Sequence, residues 1–249
     1  TRLVVVSNGD CAIHYTHIID IINGVDAWTR NASGLVCAAG APNDLFSLGS
    51  SFTWVVGAGG YVYFYSNITG AATVQDAGVA TTQNLNAIHG VDELNLVAVG
   101  NSNAVIYTRN GGANWSSITG PAPALALNAI WMRTEDEWFI GTSNGKLWYT
   151  RNGGTTWTEK TFPGSGSGAI QDINFATPTV GYLSHTLSGA GRILRTIDGG
   201  ASWYVLPEGS GGIPTNQRIN ALDACGEDPN VVYGAGLGSG TDGILVKGA

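Results

Sequence analysis

Charge is scarce in this sequence. Lys, Arg, Asp and Glu make up only 12% of its 249 residues, and the net charge is −7. A surface that follows a phosphate backbone needs several clustered cations, which displace counterions from the nucleic acid. The 11 Lys and Arg residues are spread along the chain and form no such cluster. The composition therefore argues against nucleic acid as a partner.

Long apolar runs are also missing. No stretch approaches the roughly 18–20 residues that a membrane-spanning helix needs, and residues 1–30 lack the basic-then-apolar layout of a signal peptide. The sequence therefore predicts a soluble chain without membrane insertion. It does not define the compartment, and an extracellular location and the surface of a virus particle are among the alternatives.

Cysteine is rare, with only Cys11, Cys37 and Cys225. They form no CxxC pair, so their spacing does not indicate a metal or redox motif. A disulfide between Cys11 and Cys37 in an oxidising compartment and three free thiols that behave as small apolar side chains both stay open.

Glycine, in contrast, is abundant, with 37 residues, and apolar residues occur in runs of four to seven bounded by turn formers. Such runs are typical of short β-strands, and no window has a helical period. A four-residue pattern recurs along the chain. "LNAI" begins at Leu85 and again at Leu127, and looser copies are "LFSL" at Leu45, "IQDI" at Ile170 and "INAL" at Ile219. Internal repeats of 40–50 residues are typical of β-propellers.

A second repeat follows the first in the same frame. "YTRNGGANW" at 107–115 and "YTRNGGTTW" at 149–157 share their first six residues and the final Trp, and "RTIDGGASW" at 195–203 is a third copy. Two weaker copies are "WTRNASGLV" at 28–36 and "YSNITGAAT" at 65–73. Each unit before the last contains four short strand patterns. The fold predicted is an all-β, six-bladed β-propeller of four-stranded antiparallel blades, with five or seven blades as alternatives.

The predicted single domain covers residues 1–249. Its blades are 3–40, 45–80, 85–124, 127–166, 170–214 and 219–249. The last unit has three strand patterns and lacks a fourth. The segment "RLVVVSN" at the N-terminus either supplies that strand and closes the ring or is the first strand of the first blade.

The second repeat resembles the Asp-box, or BNR repeat, of the pattern Ser/Thr-x-Asp-x-Gly-x-x-Trp. The matching positions are Thr108, Asn110, Gly112 and Trp115; Thr150, Asn152, Gly154 and Trp157; and Thr196, Asp198, Gly200 and Trp203. Either Asn or Asp accepts backbone hydrogen bonds in a tight turn, and Gly takes a positive φ. The resemblance implies a structural turn between the third and fourth strands of a blade, where the Trp fixes the hairpin against the next blade.

Sialidases carry the same box, and the resemblance raises a glycosidase as an alternative function. Such enzymes use three arginines for the substrate carboxylate, a Tyr with a Glu behind it as nucleophile, an Asp acid/base and a Phe/Tyr-Arg-Ile/Leu-Pro segment. This sequence lacks that segment, and Arg30, Arg109 and Arg151 lie inside box copies.

The distribution of acidic residues also argues against a glycosidase. Loops after the first strands carry carboxylates at 92–93, 135–137 and 227–228, on the same side as the boxes. The opposite side, which usually carries the ligand in a propeller, has small uncharged loops with only Asp10, Glu208 and Asp242 as acids. Glycoside hydrolysis needs two carboxyl groups within roughly 5–10 Å of each other. No catalytic residues are predicted.

The sequence also predicts no metal and no cofactor. His14 and His17 are three residues apart, which places them on opposite faces of a strand. Segments such as "GSGSG" are not followed by a helix or by the Lys-Ser/Thr of a phosphate loop.

The function predicted is a non-enzymatic scaffold that presents loops to a protein or glycan partner or decorates a larger assembly such as a virion. The resemblance also extends to photosystem II assembly and stability factors, which implies an assembly chaperone as a further alternative. Known members of that family have seven blades and a basic patch.

Overall fold

The computed structural model describes residues 2–7, 12–17, 29–31, 35, 41–49, 51–66, 71–207, 218–237 and 243–248. These residues form 22 β-strands and two single-turn 3-10 helices, Ala58–Gly60 and Asn101–Asn103. The predicted all-β class is confirmed. The chain divides into two compact units, Thr1–Gly120 and Pro121–Ala249.

The first unit contains three antiparallel sheets, whose strands pair in chain order. Sheet 1 is β1 (Arg2–Ser7), β2 (Ala12–His17) and β3 (Thr29–Asn31). Sheet 2 is β4 (Pro42–Leu48), β5 (Phe52–Gly57), β6 (Tyr61–Ser66) and β7 (Ala71–Ala77). Sheet 3 is β8 (Leu85–Gly90), β9 (Leu96–Gly100), β10 (Ala104–Thr108) and β11 (Ser116–Thr119).

The second unit has the same organisation. Sheet 4 is β12 (Leu127–Met132), β13 (Trp138–Thr142), β14 (Leu147–Thr150) and β15 (Thr158–Lys160). Sheet 5 is β16 (Ala169–Phe175), β17 (Gly181–Leu187), β18 (Ala190–Thr196) and β19 (Tyr204–Val205). Sheet 6 is β20 (Arg218–Ala224), β21 (Val232–Leu237) and β22 (Gly243–Gly248).

The six sheets span residues 2–31, 42–77, 85–119, 127–160, 169–205 and 218–248, and the predicted blade bounds stay a prediction. The strand Arg2–Ser7 pairs with β2, so it is the first strand of sheet 1. The single domain and the closure of a ring stay predictions. Cys11 and Cys37 lie outside the described residues, and Cys225 is a half-buried free thiol.

The apolar core lies between successive sheets of each unit. One cluster joins sheets 2 and 3 around Trp54 and Leu96, and another joins sheets 4 and 5 around Phe139 and Phe175. Second strands contribute many buried residues to these clusters. Every residue of β9 and of β13 is buried. A strand buried on both faces shows a continuous apolar run and no polar alternation, as in "LVAV" of β9.

The first strands of sheets 2–6 share one irregularity, a β-bulge near their start. The shifts in register lie between Pro42 and Asp44, Leu85 and Ala87, Leu127 and Ala129, Ile170 and Asp172, and Ile219 and Ala221. The copy of "LNAI" in sheet 2 therefore begins at Pro42, and its alignment on "LFSL" at Leu45 is wrong. Proline and aspartate in place of Leu and Ala hide this copy in the sequence.

Candidate functional site

The three repeated turns have one hydrogen-bond pattern, which the sheet 4 copy illustrates. The Thr150 hydroxyl is buried, accepts from the Gly154 N–H at 3.0 Å and donates to the Asn152 side-chain oxygen at 3.0 Å. That oxygen also accepts from the Thr156 N–H at 2.9 Å. Thr108 with Asn110, and Thr196 with Asp198, repeat these bonds. Each box therefore begins at the last residue of a third strand and continues through the turn that precedes the fourth strand.

The third box differs because its acceptor is a carboxylate. Asp198 accepts from the hydroxyl and the backbone N–H of Ser202 and from Thr196. These hydrogen bonds, with that of the Ser202 side chain first, lower the pKa of Asp198 from 3.8 to about 2. The amides of Asn110 and Asn152 form the same turn without a charge.

Paired glycines bring each box close to a neighbouring strand. Gly200 has φ of +83°, and a Cβ there would lie 2.6 Å from the Phe139 ring of sheet 4. In sheet 3, Gly112 has φ of +85°, and a Cβ would lie 1.8 Å from the Gln75 side-chain oxygen of sheet 2. These two boxes therefore lie close to the preceding sheet, and the predicted role of the Trp stays a prediction.

The box tryptophans have related but unequal environments. Trp115 is buried in the cluster of sheets 2 and 3, and Trp203 in that of sheets 4 and 5. Trp203 meets Phe175 edge to face with ring centroids 5.9 Å apart. Trp157 is half-buried and lies 6.2 Å from Trp138 of its own sheet. Each indole therefore covers apolar side chains beside its turn.

The box side of the second unit has a cavity of about 370 Å³ between the ends of β12 and β16. We call it the Trp131 cavity; its lining residues are Trp131, Met132, Arg133, Thr134, Glu137, Phe175, Ala176, Thr177 and Pro178. The Trp131 and Phe175 rings lie 6.1 Å apart. The loop after β12 lines one side of the cavity, and the loop after β16 lines the other. The sequence predicted a ligand on the opposite, uncharged side, so this cavity was missed.

One charged network borders the Trp131 cavity. The Tyr149 hydroxyl donates to Glu137 Oε1 at 3.0 Å, and Arg151 Nε donates to the Tyr149 hydroxyl at 2.9 Å. Arg133 lies 4.0 Å from Glu137 and donates to the Gly199 carbonyl at 3.3 Å. The hydrogen bond to Tyr149, with the charge of Glu137, raises the pKa of Arg151. Glu137 therefore holds two arginines and one phenol in fixed positions.

The structure resembles solved proteins of one architecture. YCF48 from Cyanidioschyzon merolae matches with a TM-score of 0.67 and 16% identity over 99% of this chain and 79% of its own. Virginiamycin B lyase from Staphylococcus aureus matches with 0.70 and 15% over 99% and 79%. A GH74 enzyme from Niastella koreensis matches with 0.63 and 17% over 84% and 36%. The chain has the β-propeller fold. Six sheets are consistent with the predicted six blades.

Sequence comparison adds no family to this propeller. No family model matches the chain, and no curated protein matches it. Structural neighbours of similarly low identity include an assembly protein and enzymes. The likeness therefore shows the fold alone, and the resemblance to propellers of the photosystem II factor kind is confirmed at that level.

Side-chain hydrogen bonds join the first strands of successive sheets, and they were not predicted from the sequence. Asn43 donates to the Leu85 carbonyl at 2.8 Å, and Asn128 donates to the Ile170 carbonyl at 3.2 Å. Both are bulge residues, and the bulge turns their side chains toward the next sheet. The signal available was the second letter of "LNAI", which is Asn in several copies.

The remaining sequence predictions concern acidic residues, metal ligands and membrane-spanning helices. Asp10, Glu208 and Asp242 lie outside the described residues. Within the described ranges, no group of three His, Cys, Asp or Glu side chains is arranged to hold a metal ion. No helix in that part of the chain is long and apolar enough to cross a membrane.

Proposed function

We propose that this propeller is a non-enzymatic scaffold that binds a segment of a partner protein in the Trp131 cavity. The volume of about 370 Å³ is the observation that carries the proposal, since ligand pockets generally occupy about 300–1,000 Å³. Aromatic and aliphatic side chains wall the cavity, and such walls receive the apolar anchor residues that dominate protein interfaces.

Fixed polar groups at the rim suit a peptide backbone. Arg133 and Glu137 are only 4.0 Å apart, yet each is about one quarter exposed, so both keep capacity for a ligand. Thr134 and Thr177 add hydroxyl groups to the same lining. A propeller of this fold, YCF48, has been solved bound to D1 peptide, at a TM-score of 0.50 and 14% identity. That neighbour supports the binding of a polypeptide by this architecture.

The proposal includes a role as a component of a larger assembly. A rigid propeller with Gly-rich loops suits a component of a bigger assembly, such as a virion surface, and a chaperone like the photosystem II factors belongs to the same interaction class. A glycan is the alternative ligand, because an aromatic ring beside an Arg–Glu pair also suits a sugar.

Selection from a library of random 12-residue displayed peptides tests the proposal. We expect enriched sequences with an aromatic or aliphatic anchor whose binding weakens at least tenfold in Trp131→Ala. Trp148→Ala is the matched control, because Trp148 is also half-buried in the second unit but does not line the cavity. Equal binding to Trp131→Ala, or enrichment only of glycans on an array, would contradict a protein ligand.

A glycosidase is the second candidate, and one contact favours it. Tyr149 donates to Glu137 with Arg151 on the same hydroxyl, which is the Tyr–Glu arrangement implied by the resemblance to sialidases. Tyr149, however, is only 7% exposed, which restricts its access to a sugar. Hydrolysis of nitrophenyl glycosides that disappears in both Tyr149→Phe and Glu137→Gln would support the enzyme over the scaffold.

A further inference from the structure

A second cavity, of about 400 Å³, lies over the box of sheet 4. Its lining residues are Tyr149, Thr150, Arg151, Thr156, Thr158 and Lys160, and we call it the Tyr149 cavity. It contains two cations, three hydroxyl-bearing threonines and no carboxylate. In a chain with a net charge of −7, such a concentration of positive charge is local to this site.

Both cations lie against one aromatic ring. Arg151 Cζ is 5.6 Å and Lys160 Nζ is 5.3 Å from the centroid of the Tyr149 ring. Two cations at one ring attract an anion to this cavity, although Glu137 already lies 3.5 Å from Arg151.

Arg151 is oriented for a ligand. Its Nε atom is used by the Tyr149 hydroxyl at 2.9 Å and lies 3.5 Å from Glu137, which fixes the plane of the guanidinium. These contacts use only the Nε atom, so the N–H groups of the two terminal nitrogens can donate to a ligand. The Arg151 side chain is 76% exposed. A guanidinium fixed on its Nε side can bind a carboxylate with its two terminal nitrogens.

The copy in sheet 3 lacks this arrangement although its hexapeptide is identical. Arg109 stacks on Tyr107 at 5.8 Å, as Arg151 does on Tyr149. Ile118 pairs with Val105 in the register in which Lys160 pairs with Leu147, so an apolar side chain replaces the second cation. Asn95 precedes β9 where Glu137 precedes β13, and it bonds to Asp92. The turn of the repeat therefore forms without a cation at the position of Lys160 or an acid at the position of Glu137.

We propose that the Tyr149 cavity binds the carboxylate of an acidic side chain in a partner polypeptide, between Arg151 and Lys160. The inference rests on the proposed function for the polypeptide source, because the network of Glu137 joins this cavity to the Trp131 cavity. A segment with an apolar anchor in one cavity and a Glu or Asp in the other is the expected ligand.

NMR titration of the ¹⁵N-labelled protein with acetyl-tetraglutamate amide tests the inference. We expect saturable shifts of backbone amides in residues 149–160, loss of these shifts in 0.5 M salt, and no such shifts with acetyl-tetraglutamine amide. Arg151→Gln and Lys160→Gln should each weaken binding roughly threefold, as for exposed ion pairs. Arg109→Gln, the matched variant of the identical hexapeptide, should leave the dissociation constant unchanged.

The results separate this inference from the proposed function. Trp131→Ala should leave tetraglutamate binding intact even if it removes peptides selected for the Trp131 cavity. Absence of saturable shifts at 149–160, equal binding of the glutamine peptide, or an equal loss in Arg109→Gln overturns the carboxylate site. Tighter binding of tetragalacturonate than of tetraglutamate overturns the assignment to a polypeptide.

Discussion

The Asp44 carboxylate accepts a hydrogen bond from the Ile88 backbone N–H at 2.9 Å, which joins the first strands of sheets 2 and 3. Asp172 makes the equivalent contact in the second unit, where it accepts from the Leu222 N–H at 2.7 Å. Both acids directly follow a bulge residue. The recurrence shows that an acceptor at this position is a means of holding successive sheets in register.

Asp44→Asn tests how the charge of the Asp44 carboxylate affects the stability of the fold. Desolvation raises the pKa of Asp44 from 3.8 to about 6, although hydrogen bonds from the Ile88 and Leu45 N–H groups act in the opposite direction. The folded state therefore binds the proton more tightly, and the free energy of unfolding falls as pH rises from about 4 to about 6. Asparagine keeps an acceptor oxygen and never ionises.

We expect Asp44→Asn to be more stable than the natural protein by roughly 3 kcal/mol at pH 8 and by little at pH 4. Urea unfolding at the two pH values measures the difference. Asp223→Asn, at an exposed residue of β20, is the control. An advantage that is larger at pH 4 than at pH 8 would show that the sign is wrong.

Thr150→Val tests the structural role of the box, which stays a prediction. The substitution keeps the shape of the side chain but removes the acceptor of the Gly154 N–H inside a buried turn. An unsatisfied buried donor costs about 1–3 kcal/mol, so we expect a loss of that size in chemical denaturation. Thr158→Val, at an exposed position of β15, should change stability by less than about 0.5 kcal/mol. Equal effects of the two variants would argue against the role.

Gly200→Ala tests the close approach of the third box to sheet 4. Both Gly200 and Gly166 have positive φ, +83° and +82°, but only Gly200 has a ring within 2.6 Å of the added Cβ, and Gly166 has nothing within 4 Å. Gly166→Ala therefore measures backbone strain alone, at about 1–2 kcal/mol. We expect Gly200→Ala to cost a further 1–3 kcal/mol from the clash with Phe139. Thermal unfolding of the pair checks the difference, and similar melting temperatures would exclude the contact.

Asp198 should titrate well below an ordinary aspartate. Its pKa of about 2 depends first on the Ser202 hydroxyl, so Ser202→Ala should raise the pKa toward 3.8. The stabilisation that the charged group provides is present above pH 4 and is lost as pH falls toward 2. Carboxyl ¹³C shifts recorded against pH give the midpoint in both proteins. A midpoint that is unchanged in Ser202→Ala would assign the low pKa to another cause.

Much of this fold was accessible from the sequence because short-range chemistry produces it. "NGG" and "DGG" force a turn with two positive φ angles wherever they occur, and the turn ends β10, β14 and β18 alike. Runs such as "WFIGT" indicate strands buried on both faces. A repeat of these signals predicts stacked sheets without any knowledge of long-range contacts.

The candidate sites were not accessible in the same way. Met132 and Phe175 belong to different sheets, and nothing in either segment indicates that both line one cavity. The Trp131 cavity was not anticipated from the sequence, because loop composition reports charge and not shape. The register of sheet 2 was missed because Pro42 and Asp44 replace the residues that mark the other copies.

The sequence by itself determined the strands, the turns and the repetition of a four-stranded unit, since each depends on residues adjacent in the chain. Tertiary structure alone decided that Tyr149 meets Glu137, that Arg151 and Lys160 share one ring, and that Gly200 lies against Phe139. The physical reason is that identical hexapeptides form identical turns, whereas the neighbours of a turn are supplied by strands outside it. Sheets 3 and 4 therefore share a box and differ in the side chains that surround it.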